Sequence, residues 1–493
     1  MTKRRTTAEK TPADAKAFEA YNATASSPHR AAPANKIVTG DNLLPPKKRK
    51  IGTATAKEAE TNSALLAWMI RKHLDYVSRF SLNFRSGDEA LDREMQGLLD
   101  WHGRRMNFDI ARRHGRDQFL RLFETNKVFS GDAAALMLAG GKMQGLESDQ
   151  IGMPDDWGKP MPPKQKRDRV SPHGLVLGEY GEVLEYCICF RNGHGRLVFD
   201  HFERAENVVF DGYFTSFSQT RAPSPILAAI NDVIDLTEIQ LMTKINLKLK
   251  NLFGIAIFRD LGDPLGGASS DEEGEESPAT SQELSAEQVN ILDLDQNDKV
   301  QSVETNSPGA NSIEFMDKLA RIAMLALDIP YTSLDSSRAS FSARIGDRAE
   351  YEESAAGKRT KNADVLREIY AWRISDWYNT LPEFRAVADA AGYNAGRLIR
   401  ELDIIPSGTP WLDKLNEVKG DMLSVALGLE SIPRLARKRG LDAYKIGKEQ
   451  SDYLAWAGAH DLPIFYAAGG QQSIQQILDS DSTNNDEEGN INE

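Results

Sequence analysis

Cysteine is almost missing. The 493-residue chain has two, Cys187 and Cys189, both inside "EYCICF". Residues two apart on a strand point to one face, and neighbours in that pattern rarely close a disulfide. They read as small buried strand residues of a reducing compartment. A metal site would need two more ligands, and none stands at a suitable spacing. Long apolar runs are also missing. Nothing approaches the ~20 residues that cross a bilayer, and the opening "MTKRRTTAEK" has no apolar core behind it, so neither a membrane span nor a secretory signal is expected. A hydrophobic content of 40% and a charged content of 27% describe a soluble globular chain with room for several packed units.

The signatures of catalysis are missing too. "AGGKMQG" around Lys142 has a Gly-Gly-Lys but neither the spacing nor the Ser/Thr of a phosphate loop. "DLDQND" starts like a calcium loop, yet Asp298 stands where that loop needs glycine. The eight histidines are scattered, with no HExxH, and no GxSxG is present. No enzyme activity and no cofactor are expected.

Basic charge is in deficit, but unevenly. The segment 269–290 holds seven acidic residues and no Lys or Arg, and the tail 479–493 holds six and again no basic residue. Together they account for the whole net charge of -13. Both read as solvated, disordered stretches. The rest of the chain is formally neutral, so a surface that meets DNA is not excluded.

What is present is a succession of elements. Residues 1–60, poor in aromatics, read as a disordered basic arm containing "PPKKRK". Helical spacing places Leu66, Met69, Ile70, Leu74 and Val77 on one face. A second helix starts at Asp88 and a third at Asp109, and strands follow from "SGDAAALML" through "LVFDHFERAENVVFDGY" with a Pro/Gly-rich basic insertion between them. From Ser224 a helix of ~28 residues, roughly 42 Å, carries Ile226, Ile230, Val233, Thr237, Leu241 and Lys248 on one stripe and ends in Lys244, Lys248 and Lys250. Two strands flank the acidic segment. A shorter helix stops before Pro330, and a Ser/Arg-rich stretch precedes a very long helix. Amphipathic helices with Gly and Pro stops complete an α+β chain without internal repeats.

Three stretches carry a resemblance. "SQTRAPSPILAAINDVIDLTEIQ" is similar to an Arg-Gly-x-Pro/Ser lead-in to a first stem helix, with Ala222 in place of the usual Gly. "FMDKLARIAMLALDIPYTSLDSSRASFSARIGDRAEYE" is similar to an "iA..LGiPy..L" pattern ending in Ser-Ala-Arg, here Ser342-Ala343-Arg344, with Asp328 where Gly is usual. "TPWLDKLNEVKGDMLSVALGLESIPRLARKRGLDAYKI" keeps Gly428-Leu429, Ser431, Gly440 and Asp442 of a third pattern. In this order, over roughly 62–465, they resemble the portal proteins of tailed bacteriophages, most closely the lambda-type family.

The resemblance implies an α+β portal fold assembled as a ring of typically twelve subunits around a channel for double-stranded DNA. It implies a wing over 61–223, stem helices at 224–253 and 312–329, a clip at 254–311, a tunnel loop at 330–344, a long wing helix and strand at 345–409, crown helices at 410–470 and an acidic tail at 471–493. The channel would be lined by Ser336, Ser337, Arg338, Ser340, Ser342 and Arg344 of the loop and by Lys244, Lys248 and Lys250 of the stem. Hydroxyls and a few cations make contacts with phosphates that weaken with salt and do not read bases. Phe341 would anchor the loop against a neighbour. Implied partners are the terminase large subunit, the major capsid and scaffold proteins, and the head-completion proteins. The implied location is one capsid vertex of the virion, and the host cytoplasm during assembly. The competing reading is a DNA-associated scaffold protein with basic and acidic tails, which explains "PPKKRK" but not the order of the elements.

Overall fold

The computed structural model describes residues 40–252, 255–259, 298–302, 310–337, 339–408, 411 and 413–460. For 249–252, 255–259, 298–302, 310 and 311 it describes the backbone alone. In chain order the main elements are α1 (Pro46–Asn62), α2 (Ala64–Val77), β1 (Phe80–Phe84), α3 (Glu89–His102), α4 (Arg116–Ser130), β2 (Asp132–Leu138) and β3 (Lys142–Leu146). Next come β4 (Leu175–Leu177), β5 (Val183–Arg191), β6 (Leu197–Arg204), β7 (Val208–Gly212), α5 (Ile230–Leu252), β8 (Ile255–Arg259) and β9 (Asp298–Ser302). The chain continues with α6 (Ala310–Met324), α7 (Phe341–Thr380), α8 (Pro382–Ala390), α9 (Ala395–Glu401), β10 (Leu402–Pro406), α10 (Lys414–Ala426), α11 (Ile432–Lys438) and α12 (Ala443–Ala459). Contacts divide it into two units. One comprises the chain up to Lys57, Asn126–Ala134 and Leu146–Leu227, and the other Glu58–Thr125, Ala135–Gly145 and the chain from Ala228 on.

The first unit is built on the antiparallel sheet β4–β5–β6. Cys187 and Cys189 are free thiols in its core with Val170 and Val176, and Trp157, Leu197, Phe199 and Phe202 pack against them. The pairing of β5 with β6 shifts register between Ile188 and Cys189, a bulge in the middle of the strand. The residues read as a disordered arm include α1, a correction to the composition argument. Lysines and threonines hid a helix whose Arg49 reaches a fully buried carboxylate. Asp132 accepts from Arg49 at 2.7 Å, from Arg221 Nε and Nη2 at 2.8 Å each, and from the Ser148 hydroxyl at 2.5 Å. Arg221 also donates to the carbonyls of Ile151, His173 and Ser148. Burial raises the Asp132 carboxyl, but the two guanidiniums outweigh it and hold the group below its ordinary range. Burial also pulls Arg49 down to about 10, with the nearby Arg221 charge adding to it.

The second unit has a mostly helical core. Leu66, Met69, Ile70, Leu74 and Val77 are all buried, as their spacing predicts. Asp88 caps α3 by accepting from the Leu91 amide at 2.9 Å. The third helix starts at Arg116 rather than at Asp109. The Asp109 carboxylate instead accepts from the amides of Ala111, Arg113 and His114 and folds the segment into a turn. β1 pairs antiparallel with β10 from Phe80↔Pro406 to Phe84↔Leu402. α9 runs directly into β10, its start fixed by Asn394, which caps it through the Arg397 amide. α7 is the axis of this unit. From Tyr351 onward it buries Leu366, Ile369, Tyr370, Ile374 and Trp377. His102 Nε2 donates to the Gly141 carbonyl at 2.9 Å and the ring stands edge-on against Tyr370 and Trp377. Burial drops its pKa to about 4.

α5 and α6 pack through Leu236, Leu319 and Ala320, supported by Leu65, Ile239 and Met316. The stripe predicted on α5 is buried at Ile230 and Val233, but Leu241 and Ile245 are 54% and 40% exposed. None of the described residues covers Leu241, at the distal end of that stripe. β8 and β9 form an antiparallel pair from Ile255↔Ser302 to Arg259↔Asp298. The acidic segment 269–290 and the acidic tail 471–493 lie outside the described residues.

Candidate functional site

The Ser/Arg-rich segment starts where α6 stops. A 3-10 turn, Leu325–Leu327, leads to Asp328 in the left-handed region at φ 59. The Asp328 amide donates to the Leu325 carbonyl and the Ile329 amide to the Met324 carbonyl, each at 3.1 Å. This is the bond pair that closes a helix with a left-handed residue, usually glycine, one step past its end. Ile329 is buried beneath it, and Pro330 prevents continuation. An L residue at that φ carries a cost of roughly 1 kcal/mol. Asp328 offsets it with its carboxylate, which accepts from Ser354 at 2.7 Å and Lys358 at 2.8 Å, both on α7. Burial raises this carboxyl, and the bonds from Lys358 and Ser354 bring it below its ordinary value.

The base of the loop is fastened on both sides. The Tyr331 hydroxyl donates to Asp317 of α6, and the Arg321 guanidinium lies 4.1 Å from the Tyr331 ring centroid. The bond to Asp317 raises the Tyr331 pKa. The Thr332 hydroxyl donates to Asp347 of α7 at 2.8 Å. Beyond Ser333 the loop also bonds to itself. The Leu334 and Asp335 amides donate to the Tyr331 carbonyl, the Ser337 amide to the Asp335 carboxylate, and the Ala339 amide to the Ser336 carbonyl.

The loop is shorter than 330–344. Ser340 is the N-cap of α7, its hydroxyl accepting from the Ala343 amide at 3.2 Å. Ser342 and Arg344 therefore stand on the first turn of a helix, which corrects their placement in a loop. A Ser three residues before a small residue, followed by a long periodic run, is the cap signal that the polar composition masked. Ser336, Ser337, Ser340, Ser342 and Arg344 are exposed, as is Phe341. Arg338 lies outside the described residues. Lys244 and Lys248 are exposed on α5, whereas the Lys250 side chain is outside the described residues. No hydrogen bond or ion pair among the described residues joins Lys244 or Lys248 to the loop. Asp328, Tyr331 and Thr332, which hold the loop, were not singled out by the sequence pattern. The one signal pointing to Asp328 was its occupation of a position where glycine is usual.

Among the described residues no group of three His, Cys, Asp or Glu could hold a metal ion. None of the described helices is long and apolar enough to cross a membrane. Residues 32–354, well over half of the chain, match the family described as "Phage portal protein, lambda family", and the chain belongs to that family. No curated protein matches it. Similar solved structures include "Virion of native gene transfer agent (GTA) particle", 15% identical over 83% of this chain and 96% of that one, with a TM-score of 0.43. Another is "Neck of empty GTA particle computed with C6 symmetry", 16% identical over the same shares, also with a TM-score of 0.43.

Proposed function

We propose that the chain is the subunit of a portal ring at one capsid vertex, through which double-stranded DNA is packaged and ejected. The family match over residues 32–354 carries this reading. Two features support it. The distal half of α5 exposes Leu241, Met242, Ile245 and Leu247, α6 exposes Ile313, Phe315 and Ile322, and the turn after it exposes Leu325. Apolar faces of this extent are covered when copies pack side by side. In this reading the loop 334–340 faces the axis with hydroxyls, and Ser342, Arg338 and Arg344 add hydrogen-bond donors to the same lining. A sliding polyanion is best met by contacts that are weak singly and repeated by symmetry. Twelve copies, the number the family resemblance implies, multiply each of them twelvefold. In this reading the strand pair β8–β9 belongs to the clip that docks the terminase large subunit and later the head-completion proteins. Assembly with capsid and scaffold proteins takes place in the host cytoplasm. The role is structural, without a catalytic step.

Electron microscopy of the purified protein with light scattering tests the ring. Particles with a central hole at roughly ten to fourteen times the 54.7 kDa chain mass are expected. Monodisperse monomers that stay monomeric when mixed with capsid and scaffold proteins would refute it. The channel role is tested by Arg338→Ala with Arg344→Ala. Rings should form as in the parent while DNA packaging and retention decline, and parental retention would remove the role.

A further inference from the structure

A cleft of about 440 Å³ opens in the second unit between β1, β10 and the starts of α11 and α12. Its lining is dominated by charge, and the charges are not equivalent. Asp403 is paired with Arg437. Asp442 accepts from Asn83 at 3.4 Å and caps α12 through the Tyr444 amide at 2.9 Å. Two guanidiniums remain. Arg85 sits over Tyr444, its Cζ 3.6 Å from the ring centroid, and Arg400 stands in the last turn of α9. Neither has an acidic partner among the described residues. Contact with the Tyr444 ring face does not use the guanidinium N–H groups, and a carboxylate is the group whose two oxygens match such a fork.

We propose that this cleft binds a carboxylate-rich peptide segment, and that the occupant is the acidic tail 479–493 of the chain itself. Three observations favour that occupant. The tail has six carboxylates and no cation. Its tether reaches: α12 starts at the cleft with Ala443 and ends at Ala459, ~25 Å away at 1.5 Å per residue. The 18 residues 461–478 can span up to ~60 Å, enough to return. Covalent attachment then gives a local concentration on the order of millimolar, so two Arg–carboxylate contacts suffice. Duplex DNA fits less well. It presents one charge per ~1.7 Å of axis and calls for a continuous basic stripe, whereas the exposed Glu401 lines this cleft beside the two arginines. The inference does not depend on ring formation.

The test uses the full-length chain with the tail neutralised in place (Asp479→Asn, Asp481→Asn, Asp486→Asn, Glu487→Gln, Glu488→Gln, Glu493→Gln). The probe is a fluorescein-labelled peptide of residues 476–493, read by anisotropy at low and moderate salt. The neutralised chain should bind the peptide at least about tenfold more tightly than the parent, whose own tail competes. Adding Arg85→Ala and Arg400→Ala should lose that affinity, and Arg85→Lys with Arg400→Lys should retain part of it, with circular dichroism confirming the fold. Arg400→Glu alone, which leaves the Arg85–Tyr444 stack in place, should also abolish binding. Equal binding with and without the arginines, or no binding to the neutralised chain, overturns the proposal. Displacement of the peptide by a short DNA duplex at equal or lower concentration overturns it as well, by assigning the cleft to nucleic acid.

Discussion

Asp132 is the residue whose loss should cost the first unit most. Its side chain is 0% exposed and sits between two guanidiniums that are themselves nearly buried. Asp132→Ala removes the acceptor and leaves Arg49 and Arg221 facing each other without an anion. Breaking a buried pair from one side costs about 3–5 kcal/mol. Arg49→Met should cost less, about 1–2 kcal/mol, because Asp132 keeps both bonds from Arg221. Arg221→Met should fall nearer to Asp132→Ala, since the carbonyls of Ser148, Ile151 and His173 lose a shared donor. With two units in the chain, one global unfolding free energy is not defined. The suitable assay is native-state hydrogen exchange read on peptides covering 126–134 and 208–222. A loss of ~4 kcal/mol raises the opening equilibrium by about a thousandfold. The pH dependence has a definite sign. The folded carboxyl titrates below its ordinary 3.8, so its contribution is present above that value and is lost only as pH falls through the lower folded one. The ranking would be refuted if Arg49→Met were as costly as Asp132→Ala, or if Asp132→Ala cost under about 1 kcal/mol.

Asp328→Gly removes the left-handed penalty together with the bonds to Ser354 and Lys358. Its net effect on stability should stay within about 1 kcal/mol, while exchange of the amides in 325–337 accelerates. Asp328→Ala keeps the penalty and loses the bonds, and should melt lower than Asp328→Gly. Ser340→Ala should cost about 1 kcal/mol and raise exchange in the first turn of α7 alone, with ring formation unchanged. His102, enclosed by Phe108, Tyr370, Trp377, Arg373 and Arg116, has its folded pKa lowered to about 4 from 6.5, chiefly by burial. It therefore stabilises the second unit above pH 6.5, and this is progressively lost between about pH 6.5 and 4, up to roughly 3 kcal/mol. Thermal melting against pH should show that slope, and His102→Gln should flatten it.

The sequence made periodic, self-contained elements legible. Leu66, Met69, Ile70, Leu74 and Val77 form a core face because a 3.6-residue repeat needs no knowledge of partners. The Asp88 cap and the proximal part of the α5 stripe, Ile230 and Val233, were legible for the same reason. What escaped depends on residues distant in the chain. Arg49 looked like part of a solvated basic run because its acceptor is 83 residues away. Asp109 resembled a helix start because an aspartate that caps and an aspartate that folds a turn have the same local sequence. The polar stretch ahead of α7 is shorter than its composition suggests, since Ser340 is polar in either role. Its clamps at Asp317 and Asp347 could not be seen at all: each needs two elements brought side by side.

α7 is 40 residues long, about 60 Å, and its buried side chains start only at Tyr351. Only residues 341–350, ~15 Å of helix, extend beyond the first buried side chain and carry the Ser/Arg loop at their tip. The overhang is stayed rather than free: Asp328 holds Ser354 and Lys358, and Thr332 holds Asp347. A tilt of ~5° at Tyr351 moves a tip ~15 Å away by only about 1 Å. The stays therefore aim the loop more than the distant socket does. Releasing one of them, as in Asp328→Ala, should shift Ser340 and Arg344 further than a conservative change such as Ile374→Val.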